Sequence, residues 1–232
     1  MSDVKISASD GGQFSAYLAK PASGKGAAIV VCQEIFGVNK VMRDICDGLA
    51  GQGYFAICPD IFWRQSPGIQ LTDQTEAEWQ KAFQLYKGFD EARGVDDLKA
   101  TLAYARKIPG VSGKAGSVGY CLGGKLAYLM ATRTTVDCAV GYYGVAIDSA
   151  LAEAPKIKKP LMLHIAEEDQ FVPPDVQEKI VAALSRNPLV TLHKYANVNH
   201  AFAREGGKNF DADSTRVANK RTADFLSKNL YS

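Results

Sequence analysis

Residues 115–132 read AGSVGYCLGGKLAYLMAT. The first seven, AGSVGYC, carry no charge and suit a short strand buried on both faces, and LGGKLAYLMAT continues as a helix. At the junction, Gly119-Tyr120-Cys121-Leu122-Gly123 fits G-x-C-x-G, the cysteine form of a nucleophile elbow. A strand that turns directly into a helix strains the junction residue. Side chains two positions to either side would collide there, so glycine is favoured at both. Cys121 then projects above the sheet at a helix N-terminus, whose partial positive charge favours a thiolate. The backbone N–H of Leu122 points where an oxyanion would form.

On either side the same alternation repeats. Upstream, VKISAS and FSAYLAKP alternate with period two around Asp10-Gly11-Gly12, a hairpin signal. GAAIVVC and YFAICPDI read as buried strands. Between them, residues 39–50 form a helix with Val41, Ile45 and Leu49 on one face. Residues 62–74 make a loop, Thr75-Glu76-Ala77-Glu78 is a capping box that opens a helix, and a second helix covers about 91–107. Downstream, CAVGYYG, LMLHIAEED and VTLHKYANV supply three more strands. Pro174-Asp175 introduces the helix VQEKIVAAL, and residues 213–229 close the chain as a helix. Strand and helix in alternation predict an α/β fold, with a mostly parallel central sheet and helices on both faces. No linker or repeat interrupts it, so residues 1–232 read as a single domain.

Composition narrows the function. The 232 residues carry a formal charge of +2, with no basic excess to neutralise phosphates, so a nucleic-acid partner is not expected. Nowhere do 18 uncharged apolar residues run together, and residues 1–20 lack the apolar core of a signal peptide. Neither a membrane nor export is expected. Five widely spaced cysteines, an odd number without a CxxC pair, argue against a fully paired disulfide framework and suit a reducing, cytoplasmic setting. Cys32, Cys46, Cys58 and Cys138 read as buried small hydrophobes.

A cysteine nucleophile needs a base. Of the three histidines, His164 and His193 lie inside strand patterns, where a structural role is expected. His200 follows Asn197-Val198-Asn199 in a loop leading to the last helix, the place of the base in the chain order nucleophile, acid, histidine. The acid should follow the preceding strand. Asp169 lies furthest into that loop, whereas Glu167 and Glu168 read as solvated. No histidine spacing suits a metal, and no glycine pattern suits a nucleotide, so neither metal nor cofactor is expected.

At this point the sequence resembles a known family. Gln33-Glu34-Ile35-Phe36-Gly37 and Gly119-Tyr120-Cys121-Leu122-Gly123-Gly124 are similar to motifs of the bacterial dienelactone hydrolases (carboxymethylenebutenolidases). So are Pro59-Asp60-Ile61, Gly141-Tyr142-Tyr143-Gly144, Asp169-Gln170-Phe171-Val172-Pro173 and His200-Ala201-Phe202-Ala203-Arg204. The resemblance implies an alpha/beta-hydrolase fold and a Cys121–His200–Asp169 triad. It also implies an oxyanion hole from the N–H groups of Leu122 and Ile35. Glu34 would hold the resting thiol, and Arg204 would bind a substrate carboxylate and draw Glu34 toward the thiol proton. Phe36 and Tyr142, from the same motifs, are candidate substrate-binding positions. The implied partner is a small, carboxylate-bearing ester or lactone, handled by a monomer.

One position departs from the family pattern. A second carboxylate-binding arginine is expected early in the helix that begins near Thr75, and the aligned residue is Trp79. A guanidinium grips a carboxylate through two hydrogen bonds, and an indole cannot. Trp79, Phe83 and Tyr86 form a helical stripe that suits core packing or a cleft wall equally. Two rival functions stay open beside lactone hydrolysis: a general carboxylesterase with no carboxylate requirement, and a non-catalytic thiol switch or binding module.

Overall fold

The computed structural model describes residues 2–231. They form two compact units that divide between Gly116 and Ser117, inside a strand.

The first unit opens with the antiparallel pair β1 (Ser2–Ser7) and β2 (Gln13–Ala19), in which Ser7 faces Gln13. β2 pairs antiparallel with β4 (Phe55–Pro59), and β3 (Gly26–Cys32) pairs parallel with β4, giving the order β1-β2-β4-β3. β4 is buried at every position and β3 at all but its first, as uninterrupted apolar strands require. Helix α1 (Lys40–Gly51) packs on β2 and β4, and α3 (Glu91–Ala105) packs on β1, β3 and β4. α1 buries Met42, Cys46 and Leu49, while Val41 and Ile45 are half-buried. The face expected from Val41 and Ile45 is therefore rotated by one residue, about 100° of helix. Small Cys46 reaches the core and branched Ile45 stays at its edge.

α2 (Glu76–Lys87) begins at Thr75, whose hydroxyl accepts the Glu78 N–H at 3.3 Å. Glu78 completes the expected reciprocal box, its carboxylate taking a hydrogen bond from the Thr75 backbone N–H. The same carboxylate accepts the Thr72 N–H at 2.8 Å and the Thr72 and Thr75 hydroxyls at 2.7 and 2.8 Å, pinning the preceding loop as well.

The second unit continues β5 (Val111–Tyr120) in the order β5-β6-β7-β8. β6 (Cys138–Tyr142), β7 (Leu161–Ala166) and β8 (Val190–Tyr195) run parallel, in the register Ala139 to Leu161 and Leu161 to Val190. α4 (Leu122–Arg133) is buried from Leu122 to Thr132 and packs on β6. α6 (Ala212–Leu230) covers β6 and β7. α5 (Pro174–Leu184) and α4 both pack on a 3₁₀ segment, Ile147–Lys156, that the sequence pattern does not announce. Among the described residues no helix is long and apolar enough to cross a membrane.

Candidate active site

β6, β7 and β8 are parallel, so the segments that follow them emerge at one edge, where open α/β sheets bind ligands. Cys121 follows β5 and joins that edge, because its N–H donates to the Tyr142 carbonyl at the end of β6 (3.1 Å). Its backbone angles are φ 57° and ψ −117°. A non-glycine residue at positive φ costs of order 1–3 kcal/mol and persists only where its surroundings over-determine it. The surroundings here are specific. The Cys121 carbonyl accepts the N–H groups of Gly124 (2.9 Å) and Val145 (3.3 Å).

Five described non-glycine residues have positive φ: Cys121, Tyr143, Ala146, Asn197 and Ala201. All five lie in the segments after β5, β6 and β8. Asn197 and Ala201 bracket His200. Backbone strain is thus confined to one edge of one unit, as at a site built for chemistry.

His200 Nδ1 lies 2.9 Å from Asp169 Oδ2, with both residues buried. An ionised carboxylate can only accept, so Nδ1 donates to it and Nε2 is the ring nitrogen turned away from the acid. Nε2 is buried with no nitrogen or oxygen partner among the described residues, and the Cys121 side chain acts on the ring both as a hydrogen-bond partner and through its charge. Burial opposes the imidazolium form. The Cys121 sulfur and the Asp169 carboxylate outweigh it and push His200 up to about 10. The other carboxylate oxygen, Asp169 Oδ1, accepts the Phe171 N–H at 2.8 Å, which fixes the carboxylate plane.

Three aromatic residues complete this surround. Phe171 meets the His200 ring edge-on at 4.8 Å between centroids, and Tyr143 does so at 5.1 Å. Phe202 packs on Tyr143 at 5.5 Å. Tyr142, expected to bind substrate, does not face this space. It is fully buried, stacked on Tyr120 at 4.7 Å, and its hydroxyl is hydrogen-bonded to Thr222 (2.6 Å) and Asn219 (3.0 Å). The correction is one residue: strand alternation turns Tyr142 into the sheet-helix layer, and the positive φ of Tyr143 turns that ring to His200. The GYYG motif alone cannot choose between adjacent tyrosines.

His164 and His193 lie within β7 and β8. His164 bonds Tyr195 through Nδ1 (2.8 Å) and Thr222 through Nε2 (2.9 Å), and burial holds it neutral, well below its ordinary range. Arg204 is buried at 6% exposure, four residues beyond His200, and its N–H closes a turn on the Ala201 carbonyl at 3.0 Å. Leu122 opens α4, so its N–H has no carbonyl within the helix.

Glu34, Ile35 and Phe36 are all buried in the segment after β3. Gln33 braces that segment: its amide donates to the Glu34 carbonyl (3.2 Å) and its side-chain oxygen accepts the Ile61 N–H (3.2 Å). Phe36 meets Trp79 edge-on at 4.9 Å, and Trp79 stacks on Phe83 at 5.5 Å. The Trp79 indole N–H donates to the Asp73 carbonyl at 3.0 Å. α2 buries Ala82 and Leu85, so the Trp79–Phe83 stripe is a half-exposed aromatic ridge and not the helix's core face.

A sequence profile of the dienelactone hydrolase family matches residues 14–230. Carboxymethylenebutenolidase of Pseudomonas putida is 43% identical over 223 residues, covering 96% of this chain and 94% of the relative. Carboxymethylenebutenolidase 1 of Cupriavidus pinatubonensis is 40% identical over 223 residues, covering 96% and 95%. Among solved structures, an alpha/beta hydrolase from Penicillium sp. sh18 superposes with a TM-score of 0.75 at 15% identity, covering 100% of this chain and 99% of that one. A dienelactone hydrolase-like phosphotriesterase from metagenomic libraries gives 0.81 at 20% identity, covering 99% and 98%. The chain is a member of the dienelactone hydrolase family, with the alpha/beta-hydrolase fold of that family.

Proposed function

We propose that this hydrolase opens the lactone ring of carboxymethylenebutenolide-like substrates to maleylacetate-type products, with Cys121 as nucleophile. The observation that carries the reading is the buried Asp169–His200 pair beside Cys121, whose side chain acts on the ring and whose backbone is held at positive φ. The Cys121 thiolate attacks the lactone carbonyl, the oxyanion forms, and its collapse breaks the ring C–O bond to leave an enolate and a thioester. Water then cleaves the thioester. His200 takes the water proton at Nε2, Asp169 holds the tautomer, and the thiolate is released. A thiolate leaves more readily than an amine, so esters and lactones suit this site better than peptides.

The oxyanion would be met by the N–H groups of Leu122 and Ile35, each worth ~2.7–4 kcal/mol in comparable sites. Glu34 would keep the resting thiol protonated until Arg204, engaged by a substrate carboxylate, draws it to take the proton. Phe36 and Trp79 would contribute an aromatic wall.

Cys121→Ala tests the chemistry. Lactone turnover and thioester formation should both vanish, and turnover near the wild-type rate would overturn the reading. A second reading, a carboxylesterase with no carboxylate requirement, is favoured by the Trp79 indole standing where a second guanidinium is expected. Comparing a carboxylate-bearing lactone with its methyl ester separates the two. Loss of rate on esterification, erased in Arg204→Ala, supports dienelactone cleavage, and equal rates support the general esterase.

A further inference from the structure

The acid and the base sit on separate loops that must be held in register. Three contacts join them. The Glu167 N–H donates to the Tyr195 carbonyl (2.9 Å) and the Glu168 N–H to the Val198 carbonyl (3.0 Å), so the two chains run on together past the ends of β7 and β8. The third contact is a side chain. Asn199 Oδ1 accepts the N–H of Gln170 at 3.0 Å and the N–H of His200 at 2.6 Å. Both partners are donors, which fixes the amide oxygen as the acceptor.

We propose that Asn199 is a positioning residue for catalysis, whose single carbonyl oxygen sets the distance between Asp169 and His200. The inference rests on the proposed roles of those two residues. One oxygen gathers the amide immediately after the acid and the amide of the base itself. The loop needs such a tie, because positive φ at Asn197 and Ala201 leaves His200 between two strained residues. On the other side, the Asn209 side chain donates to the His200 carbonyl at 2.9 Å, so the backbone of the base is held at both its N–H and its C=O.

Chemistry separates a positioning role from a merely structural one. Asp169 fixes the imidazole tautomer only while the two loops stay in register, and a misplacement near 1 Å costs about a hundredfold in rate. The titratable groups found against the His200 ring are Asp169, Cys121 and Tyr143. In the thioester the cysteine charge is gone, so Asp169 becomes the carboxylate that governs when His200 can accept a proton from water.

The experiment uses Asn199→Ala and Asn199→Asp in the full chain, with p-nitrophenyl acetate as probe. For Asn199→Ala, the burst of p-nitrophenolate should persist while steady-state kcat falls roughly ten- to a hundredfold, and KM should fall with it so that kcat/KM changes little. The acid limb of its kcat–pH profile should move to lower pH, because His200 is less tightly coupled to Asp169. Asn199→Asp keeps the acceptor and adds a carboxylate. It should recover most of the turnover and move the acid limb to higher pH. Wild-type kcat in Asn199→Ala, or equal losses in both variants with no shift of the limb, would overturn the proposal. If Asn199→Ala does not fold, the limb of Asn199→Asp decides: a shift to higher pH supports it and none refutes it. Cys121→Ala is run alongside. If that variant keeps its turnover, the proposed function fails and this inference with it; if it loses turnover while Asn199→Ala keeps it, only this inference fails.

Discussion

His200 Nδ1 and Asp169 Oδ2 are 2.9 Å apart across 31 residues of sequence, and both side chains are almost wholly withdrawn from solvent. A buried charge without its partner is costly, so each of these residues holds the other in place. Asp169→Asn should leave the ring near its position but lose the carboxylate that dictates its tautomer. Turnover should fall on the order of 10²–10⁴-fold, as when general acid–base catalysis is removed. Steady-state kinetics on the lactone measures it, with circular dichroism to show that the fold persists.

The same imidazole, raised by the Cys121 sulfur and the Asp169 carboxylate against the cost of its burial, predicts how stability varies with pH. His200 is raised from its ordinary 6.5 to about 10, so the folded state binds its proton more tightly than the unfolded state. That contribution is fully present below pH ~6.5 and is lost as pH rises through about 10. Urea midpoints measured from pH 6 to 10 should fall, and the fall should be shallower in Asp169→Asn.

His164 predicts the opposite slope at lower pH. Burial, with the charge of His193 and Arg221, keeps it neutral in the fold, whereas the unfolded chain protonates it near pH ~6.5. Stability should therefore drop as pH falls below that value. His164→Gln should flatten this limb while leaving the slope between pH 7 and 10 unchanged, read again from urea midpoints.

Gly124 predicts a packing limit. A Cβ there would stand 2.5 Å from the Tyr142 carbonyl oxygen and 2.7 Å from the Gly144 Cα, both backbone atoms that cannot swing aside. Gly124→Ala should destabilise the protein by about 1–3 kcal/mol and reduce turnover, because α4 carries Cys121 at its N-terminus. Denaturant titration and kinetics test the two parts separately.

Alkylation should distinguish the thiols. Cys121 is 6% exposed, whereas Cys32, Cys46, Cys58 and Cys138 are 0% exposed. Burial also pushes the Cys32 and Cys46 thiols up, away from the reactive thiolate. Iodoacetamide should modify one cysteine in the native protein and five in urea, with peptide mass spectrometry identifying Cys121 as the first.

The sequence by itself determined the order of strands and helices, the strand-to-helix turn at Cys121 and the buried character of β3 and β4. These follow from local patterns: apolar runs, glycines around a junction, capping residues beside helices. It also singled out Asp169 and His200, because each falls just past a strand in the order that places acid before base. What local patterns could not carry was rotation and register. The face of α1 turned by one residue because cysteine fits the core more easily than the periodicity implied. Tyr143 in place of Tyr142 reached His200 because β6 ends with Tyr142 facing inward and the chain turns at positive φ on the next residue. Asn199 joined the acid loop to the base loop through a contact 29 residues long. Which residue faces the base depends on strain that only packing against neighbouring strands sustains, and that balance exists only once the tertiary structure has formed.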